Sequence, residues 1–207
     1  MLYSLGLWFE KDGKVHLTLA GEAIMQGKPP VPVLKKQVLR FQYPSAYSDS
    51  VKVTPRFKIR PFVFLLKLLS DERIKYLLQD EIALIVSVNA ENESEKCYES
   101  VVEQILRYRS YGDKILEDNY LQKYQASKKN LMDVANTMMN WLDYTQLVYR
   151  EKKLIGIDET KRTEVESIVS NIPSFIKYPV EADIYQRKYG VDPWHQKDTR
   201  NILQTET

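Results

Sequence analysis

Residues 147–157 read Leu-Val-Tyr-Arg-Glu-Lys-Lys-Leu-Ile-Gly-Ile and contain the clearest structural pattern of the chain. Two short apolar runs surround a charged turn, a pattern that predicts a β-hairpin. Residues 61–144, which precede the hairpin, have mainly helical periodicity, and Asp158 behind it is a good N-cap for a helix from about Glu159 to Val169. Helices followed by a hairpin are typical of the winged-helix arrangement. We therefore predict a mainly α protein with small β-hairpins, an α+β fold with winged-helix or helix-turn-helix-like lobes.

The helical part of this lobe divides at turn residues into several segments. The apolar spacing predicts a helix from Pro61, a short helix or turn over Ser70–Leu78, and helices over Asp80–Val88, Glu93–Tyr108 and Lys128–Tyr144. Helix, short turn and helix is the spacing of a helix-turn-helix unit, but any antiparallel helix pair gives the same spacing. Both interpretations stay open at this point.

The same order of elements occurs at the beginning of the chain. Residues 5–18 alternate around the turn Lys11-Asp12-Gly13-Lys14 and predict a hairpin, after which Thr18 caps a short helix, and Pro32 opens another helix to about Tyr43. We therefore predict four regions: residues 1–46 as the truncated end of a first winged-helix-like lobe, 47–60 as a basic connecting loop, 61–172 as the second lobe, and 173–207 as a C-terminal segment. Within the last region, we expect an exposed tail from Asp192 onward.

Composition excludes several classes of protein. The chain has 207 residues, of which 43% are apolar and 28% charged, which is ordinary for a folded domain. The single Cys97 cannot form an internal disulfide, and one cysteine with two histidines cannot build a zinc finger. No apolar stretch is long enough to span a bilayer, so we expect a cytoplasmic protein with no membrane partner.

The positive charge is concentrated in one part of the sequence. Between Lys28 and Leu69 there are nine basic residues and one acid, Asp49, which gives +8 over 42 residues. The rest of the chain carries −6, because the whole carries +2. Such asymmetry indicates a surface that binds a polyanion, although acids from elsewhere in the fold could also oppose these cations.

Candidate DNA contacts follow from this distribution. For phosphate contact we select cations of the basic stretch and of the second hairpin: Lys35, Lys36, Arg40, Lys58, Arg60, Arg150, Lys152 and Lys153. For base readout we select Gln42 and polar residues at the start of the long helix: Asn92, Ser94, Glu95 and Lys96. We find no catalytic set and no metal ligands, since the chain has no phosphate-binding glycine loop and neither histidine has a nucleophile partner.

Several stretches resemble the AlwI-type type II restriction endonucleases and the nicking endonucleases related to them. They are Gly6–Phe9, Leu17–Glu22, Leu34–Ser45 with its Gln-Tyr-Pro-Ser block, Ile59–Leu69, Ile105–Arg109, Asp133–Asn136 and Tyr185–Gly190. The resemblance implies winged-helix-like domains that recognise a short asymmetric double-stranded DNA site, and a separate nuclease domain that cuts with Mg²⁺. It also implies that the start of the first lobe and the nuclease domain lie outside this chain, which would then need no cofactor of its own and be inactive alone. A nuclease domain or a second subunit would be a further partner.

A different class of function remains open. A winged-helix protein can also use its surfaces for contacts with other proteins, as a subunit or scaffold. The basic stretch favours DNA binding, whereas the modest net charge is compatible with the protein-interaction alternative.

Overall fold

A computed structural model of the chain describes residues 2–46, 56–116, 121 and 127–194. In chain order, its elements are β1 (Trp8–Lys11), β2 (Lys14–Leu17), α1 (Leu19–Met25), α2 (Pro30–Arg40), α3 (Pro61–Ser70), β3 (Tyr76–Leu78), α4 (Gln79–Glu81, a π-helical turn Ile82–Val86, and Ser87–Asn89), α5 (Glu95–Tyr111), α6 (Lys128–Asp143), β4 (Val148–Glu151), β5 (Leu154–Ile157), α7 (Arg162–Ser170) and α8 (Ala182–Tyr189). Short 3₁₀ turns, Gly112–Ile115 and Glu159–Lys161, follow α5 and precede α7. The predicted mixed α+β class is therefore confirmed.

Two small antiparallel sheets carry the hairpins. β1 pairs with β2 alone, and β5 pairs with β4 on one side and with β3 on the other, in the order β3-β5-β4. The prediction of a short helix or turn over Ser70–Leu78 is wrong at its end, because Tyr76–Leu78 is a strand paired with Leu154–Gly156. Three residues are too few to show a period, and their strand conformation comes from pairing with β5.

Most other boundaries agree with the predictions to within a few residues. Thr18 and Asp158 both cap the turns that follow the hairpins: the Thr18 side chain accepts a hydrogen bond from Gly21 N, and the Asp158 side chain accepts one from Thr160 N. Helix α2 is shifted from the prediction, since it begins at Pro30 and ends at Arg40. Proline suits this start because the first turn of a helix does not use its N–H groups.

The hydrophobic core runs through both predicted lobes, from Leu5 near the first hairpin to Val165 in α7. Helix α3 lies at its centre: seven of its ten residues are buried, a pattern of helices enclosed on all sides. It packs against α7, β3 and β5. The division into separate lobes stays a prediction, and the core between them is continuous.

The C-terminal part of the described chain packs against the first hairpin. Helix α8 contacts β1, and Gly190 comes so close to the turn before β1 that an added Cβ would lie 2.2 Å from Gly6 O. Asp192, predicted to begin an exposed tail, is instead buried and bound to Lys28 Nζ at 2.6 Å. Residues 195–207 lie outside the described part of the chain. Among the helices that are described, none is both long and apolar enough to cross a membrane.

Candidate nucleic-acid interface

The hairpin formed by β4 and β5 presents a basic tip to solvent. Glu151 pairs with Leu154, so the turn consists of Lys152 and Lys153, which are both exposed and have no carboxylate partner within the described residues. Lys152 has a φ of 53°, a left-handed conformation that costs a non-glycine residue about 1–2 kcal/mol. A glycine would suit this turn better, so the lysine side chain is present at a cost in stability.

Helix α6 lies beside this hairpin and has two distinct faces. Ser127 caps its start by accepting a hydrogen bond from Asn130 N. One face packs into the core and contains Ala135, Met139 and Leu142. Lys129, Asp133, Asn136, Thr137 and Asn140 recur at intervals of three and four residues and form the other face. This second face, hereafter the polar face of α6, is exposed apart from the half-buried Asn140.

Arg150 of β4 joins the hairpin to the polar face of α6. Its Nη2 donates to Asn136 Oδ1 at 2.7 Å, its Nη1 donates to Asn140 Oδ1, and its Nε donates to the carbonyl oxygen of Lys152 in the turn at 3.3 Å. All three acceptors are uncharged, so Arg150 contributes a positive charge with no carboxylate partner among the described residues. The hairpin and the polar face of α6 therefore form one connected, basic surface, hereafter the helix–wing surface.

The basic stretch between Lys28 and Leu69 is largely neutralised by the fold. Five of its eight described cations form ion pairs with carboxylates from other segments: Lys28 with Asp192, Lys35 with Glu164, Arg56 with Glu91, Arg60 with Glu93 and Lys67 with Glu95. A ninth cation, Lys52, lies outside the described residues. The excess of +8 in the sequence therefore does not produce an equal excess on the surface.

Two of the predicted phosphate contacts in this stretch have clear structural roles. Arg60 is buried and donates from its backbone N and from Nε to Glu93 Oε1, at 2.7 and 2.8 Å. Its guanidinium group lies 4.4 Å from the centre of the Phe175 ring. Arg40 donates to the carbonyl oxygens of Lys188 and Tyr189 at 2.8 and 3.4 Å, and so caps the C-terminal end of α8. Both groups hold elements together in this conformation.

Lys36 and Lys58 are the predicted phosphate contacts of this stretch that are exposed and have no carboxylate partner among the described residues. Burial lowers the pKa of Lys36, and the neighbouring charge of Arg40 lowers it further. Lys58 lies 5.4 Å from the centre of the Phe175 ring.

The residues predicted to read bases are mostly engaged within the protein. Gln42 is 2% exposed, and its amide donates to the carbonyl oxygen of Ile176 and accepts from Ile176 N. Asn92 accepts a hydrogen bond from Ser94 N, Ser94 caps α5, and Glu95 pairs with Lys67. Lys96 is exposed and has no carboxylate partner among the described residues. Asn92 does lie beside Lys58, through a parallel bridge between their backbones.

The polar face of α6 was not selected from the sequence, although a signal for it was present. The spacing that predicts the apolar face of α6 also places Lys129, Asp133, Asn136 and Asn140 together on the other side. The contact of Arg150 with that face has no comparable signal, because it depends on how a strand packs against a helix 10 to 14 residues earlier in the chain.

An apolar cavity of about 520 Å³ opens at the flank of α6. Its walls come from the end of α2, the segment before α3, and helices α3, α4 and α6, and they include these aromatic residues: Phe41, Tyr43, Phe57, Phe62, Phe64 and Trp141. Asp133, Val134 and Thr137 form its border with the polar face of α6. The cavity is thus adjacent to the helix–wing surface.

Metal ligation has no candidate residues in the part of the chain that is described. Within it, no group of three or more histidine, cysteine, aspartate or glutamate side chains is placed to hold a metal ion. The sequence resemblance assigns the Mg²⁺ to a separate nuclease domain, and the described residues form no site that suits it.

Comparisons with known proteins identify the family. No curated protein matches the chain. The chain shares its fold with a solved structure described as pyrene- and phenanthrene-modified DNA in complex with the BpuJ1 endonuclease binding domain: the TM-score is 0.65 at 19% identity, over 91% of this chain and 73% of that one. Residues 33–169 match the family model of the N-terminal domain of the type II restriction endonuclease HgaI. Since the match spans more than half of the sequence, including all of the helix–wing surface, the chain belongs to this family of restriction endonuclease N-terminal domains.

Proposed function

We propose that the chain is the sequence-specific double-stranded DNA recognition module of a type II restriction or nicking endonuclease. Cleavage is assigned to a separate Mg²⁺-dependent nuclease domain, and the site of action to the cytoplasm, where such an enzyme meets DNA. The AlwI-type assignment within the restriction endonucleases stays a prediction from the sequence resemblance. The family match and the DNA complex of the BpuJ1 binding domain support the general part of the proposal.

The observation that carries the proposal is the helix–wing surface. Helix α3, strand β3, helices α4 and α6, and the hairpin β4–β5 follow one another as in a winged helix, with α5 inserted between α4 and α6. In helix-turn-helix proteins, the second helix enters the major groove and the N-terminal part of that helix contacts base edges. By position, α6 is that helix, and the basic tip of the hairpin is placed to contact phosphates beside it.

This proposal replaces α5 by α6 as the reader of bases. Helix α5 begins with groups that already bind within the protein, Ser94 and Glu95 among them, whereas the polar face of α6 is exposed and is connected to the wing. Of the cations selected from the sequence as phosphate contacts, we retain the exposed ones that lack a carboxylate partner among the described residues, Lys36, Lys58, Lys152 and Lys153. We add Lys129 from the polar face of α6.

The first experiment is selection of duplexes by the purified 207-residue chain from a random pool, followed by a salt titration of the enriched sequence. We expect enrichment of one short asymmetric motif, with affinity that falls steeply as salt rises, because phosphate contacts release counterions. Absence of binding at low salt would refute the proposal. Salt-sensitive binding without enrichment would refute its sequence-specific part.

A matched pair of variants tests the choice of helix. Lys129 and Lys96 are both exposed, and each is the second residue of a helix with a serine cap. We expect Lys129→Ala to weaken binding and to reduce the salt slope by about one, while Lys96→Ala leaves both unchanged. The reverse result would mean that α5, and not α6, lies against the DNA.

A second candidate function, a protein-interaction module, is favoured by the aromatic cavity beside α6. Concave apolar sites of this volume suit a bulky apolar side chain of a protein partner. The selection experiment separates the two functions, since a module of this second kind would not bind duplexes in a salt-dependent way.

A further inference from the structure

Arg150 constrains the chemistry of two side chains on the polar face of α6. Its guanidinium group lies against Asn136 and Asn140 and donates one hydrogen bond to the side-chain oxygen of each. A guanidinium group has donors and no acceptor, so only the oxygen of each amide can face it. The orientation of both amides is therefore fixed by Arg150.

The opposite end of each amide is the NH₂ group. Among the described residues, neither Asn136 Nδ2 nor Asn140 Nδ2 donates a hydrogen bond within the protein. Asn136 is exposed and Asn140 half-buried, so both groups are available at the surface of α6. The helix therefore offers two donors, four residues apart, whose oxygens are turned toward the hairpin.

This arrangement alters what the two asparagines are able to recognise. An asparagine reads adenine by accepting from N6 and donating to N7, which needs both ends of the same amide. Here the accepting oxygens are directed at Arg150. In the major groove, guanine presents two acceptors, O6 and N7, whereas adenine presents one acceptor and one donor, and cytosine presents a donor. Thymine presents one acceptor, O4, beside its methyl group, so guanine is the base that offers two acceptors to two donors.

We propose that Arg150 is a positioning residue for specificity. It orients Asn136 and Asn140 so that both side chains donate hydrogen bonds to a base edge, and two donors select guanine at the base pair they face. The inference rests on the proposed function. It assigns Arg150 to the orientation of two base-reading side chains, whereas the sequence predicted a phosphate contact for it.

The test compares the duplexes selected by the wild-type chain with those selected by Arg150→Met, Arg150→Lys and the control Lys153→Ala. The wild type should prefer guanine over adenine at one position by roughly tenfold or more. Arg150→Met removes the fixed orientation, so that preference should fall below about threefold while other positions keep theirs. Arg150→Lys, which can still donate to one oxygen, should restore part of it, and Lys153→Ala should weaken all sequences equally.

A second measurement uses the wild-type chain and so does not depend on folding of the Arg150 variants. Replacing the selected guanine by 7-deazaguanine, which lacks the N7 acceptor, should weaken wild-type binding about as much as replacing it by adenine. The same replacement should have little effect on the double variant Asn136→Ala/Asn140→Ala.

The outcomes separate this inference from the proposed function. Suppose that the wild type enriches a motif. If Arg150→Met then keeps the same base preferences, or loses affinity uniformly for all sequences, the role of Arg150 is overturned and the recognition module stays intact. Wild-type binding that is unaffected by 7-deazaguanine would do the same. No enrichment by the wild type would overturn the proposed function and this inference with it.

Discussion

The two hairpins of the chain look alike in sequence and differ in their surroundings. Each has two four-residue strands, a two-residue turn and a capped helical turn behind it. In the second hairpin, β5 is paired on both sides and is largely buried. In the first, every residue of β2 is exposed, and Val15 is 68% exposed.

Each hairpin is also held to a helix by a cation of its first strand, but the partners differ in charge. Lys11 contacts the Asp183 carboxylate of α8 at 3.5 Å, so its charge is compensated. Arg150 contacts two neutral amides of α6, so its charge remains. The neighbours of a hairpin, more than its own pattern, therefore decide whether the charge of this cation is compensated. The proposed function assigns the DNA contact to the second hairpin on this ground.

The largest expected difference between the hairpins is in stability. Ile155 of β5 is fully buried, so Ile155→Ala should lower the free energy of unfolding by about 3 kcal/mol through the cavity it leaves. Val15→Ala on the exposed face of β2 should change it by no more than about 0.5 kcal/mol. Urea unfolding of both variants measures this. Equal losses in the free energy of unfolding of the two variants would mean that the face of β2 is covered in solution.

The next difference is in DNA binding. Lys152→Ala/Lys153→Ala should reduce affinity roughly tenfold or more at about 0.1 M salt and lower the salt slope by about two, because two phosphate contacts are lost. Lys11→Ala/Lys14→Ala, at the tip of the first hairpin, should leave the slope unchanged. Fluorescence anisotropy over a salt series gives both values. A loss of slope in the second variant alone would assign the phosphate contacts to the first hairpin.

The two hairpins themselves could be predicted from the sequence, because they depend on local patterns. Alternation and turn residues predict both hairpins, and the cap residues Thr18 and Asp158 predict the turns behind them. Strand β3 could not be predicted, since its three residues take their conformation from a partner almost 80 residues later in the chain.

The candidate site was less predictable, because charge compensation depends on residues far apart in sequence. Lys35 meets Glu164 and Arg60 meets Glu93, pairs separated by 129 and 33 residues, so the positive stretch indicated more surface charge than the fold leaves. The orientation of Asn136 and Asn140 depends in the same way on Arg150, which reaches them from another element.

A smaller effect concerns backbone strain at the two tips, where Asp12 and Lys152, the first residues of the two turns, both have a φ of 53°. Lys152 holds a φ of 53°, so Lys152→Gly should raise stability by about 0.5 to 1 kcal/mol, and the melting temperature by about 2 °C. Gly13, with a φ of 68° and no atom near the site of a Cβ, should show the opposite: Gly13→Ala should cost about 1 kcal/mol through backbone strain alone. Scanning calorimetry measures both. A loss of stability in Lys152→Gly would show that the lysine side chain stabilises the turn.

The smallest difference is in the response of the two caps to acid. Hydrogen bonds from the Thr160 side chain and backbone N–H lower the pKa of Asp158 below its usual 3.8, whereas Thr18 carries no charge. A carboxyl with a lowered pKa in the folded state contributes stability above pH 3.8, and this contribution is lost as the pH falls through the lowered pKa. Asp158→Asn should therefore lose less stability than the wild type between about pH 7 and about pH 3, while Thr18→Ser should follow the wild type. Urea unfolding at the two pH values measures the loss of stability of each variant. If Asp158→Asn lost as much stability in acid as the wild type, the cap after the second hairpin would act through its geometry alone, as Thr18 does after the first.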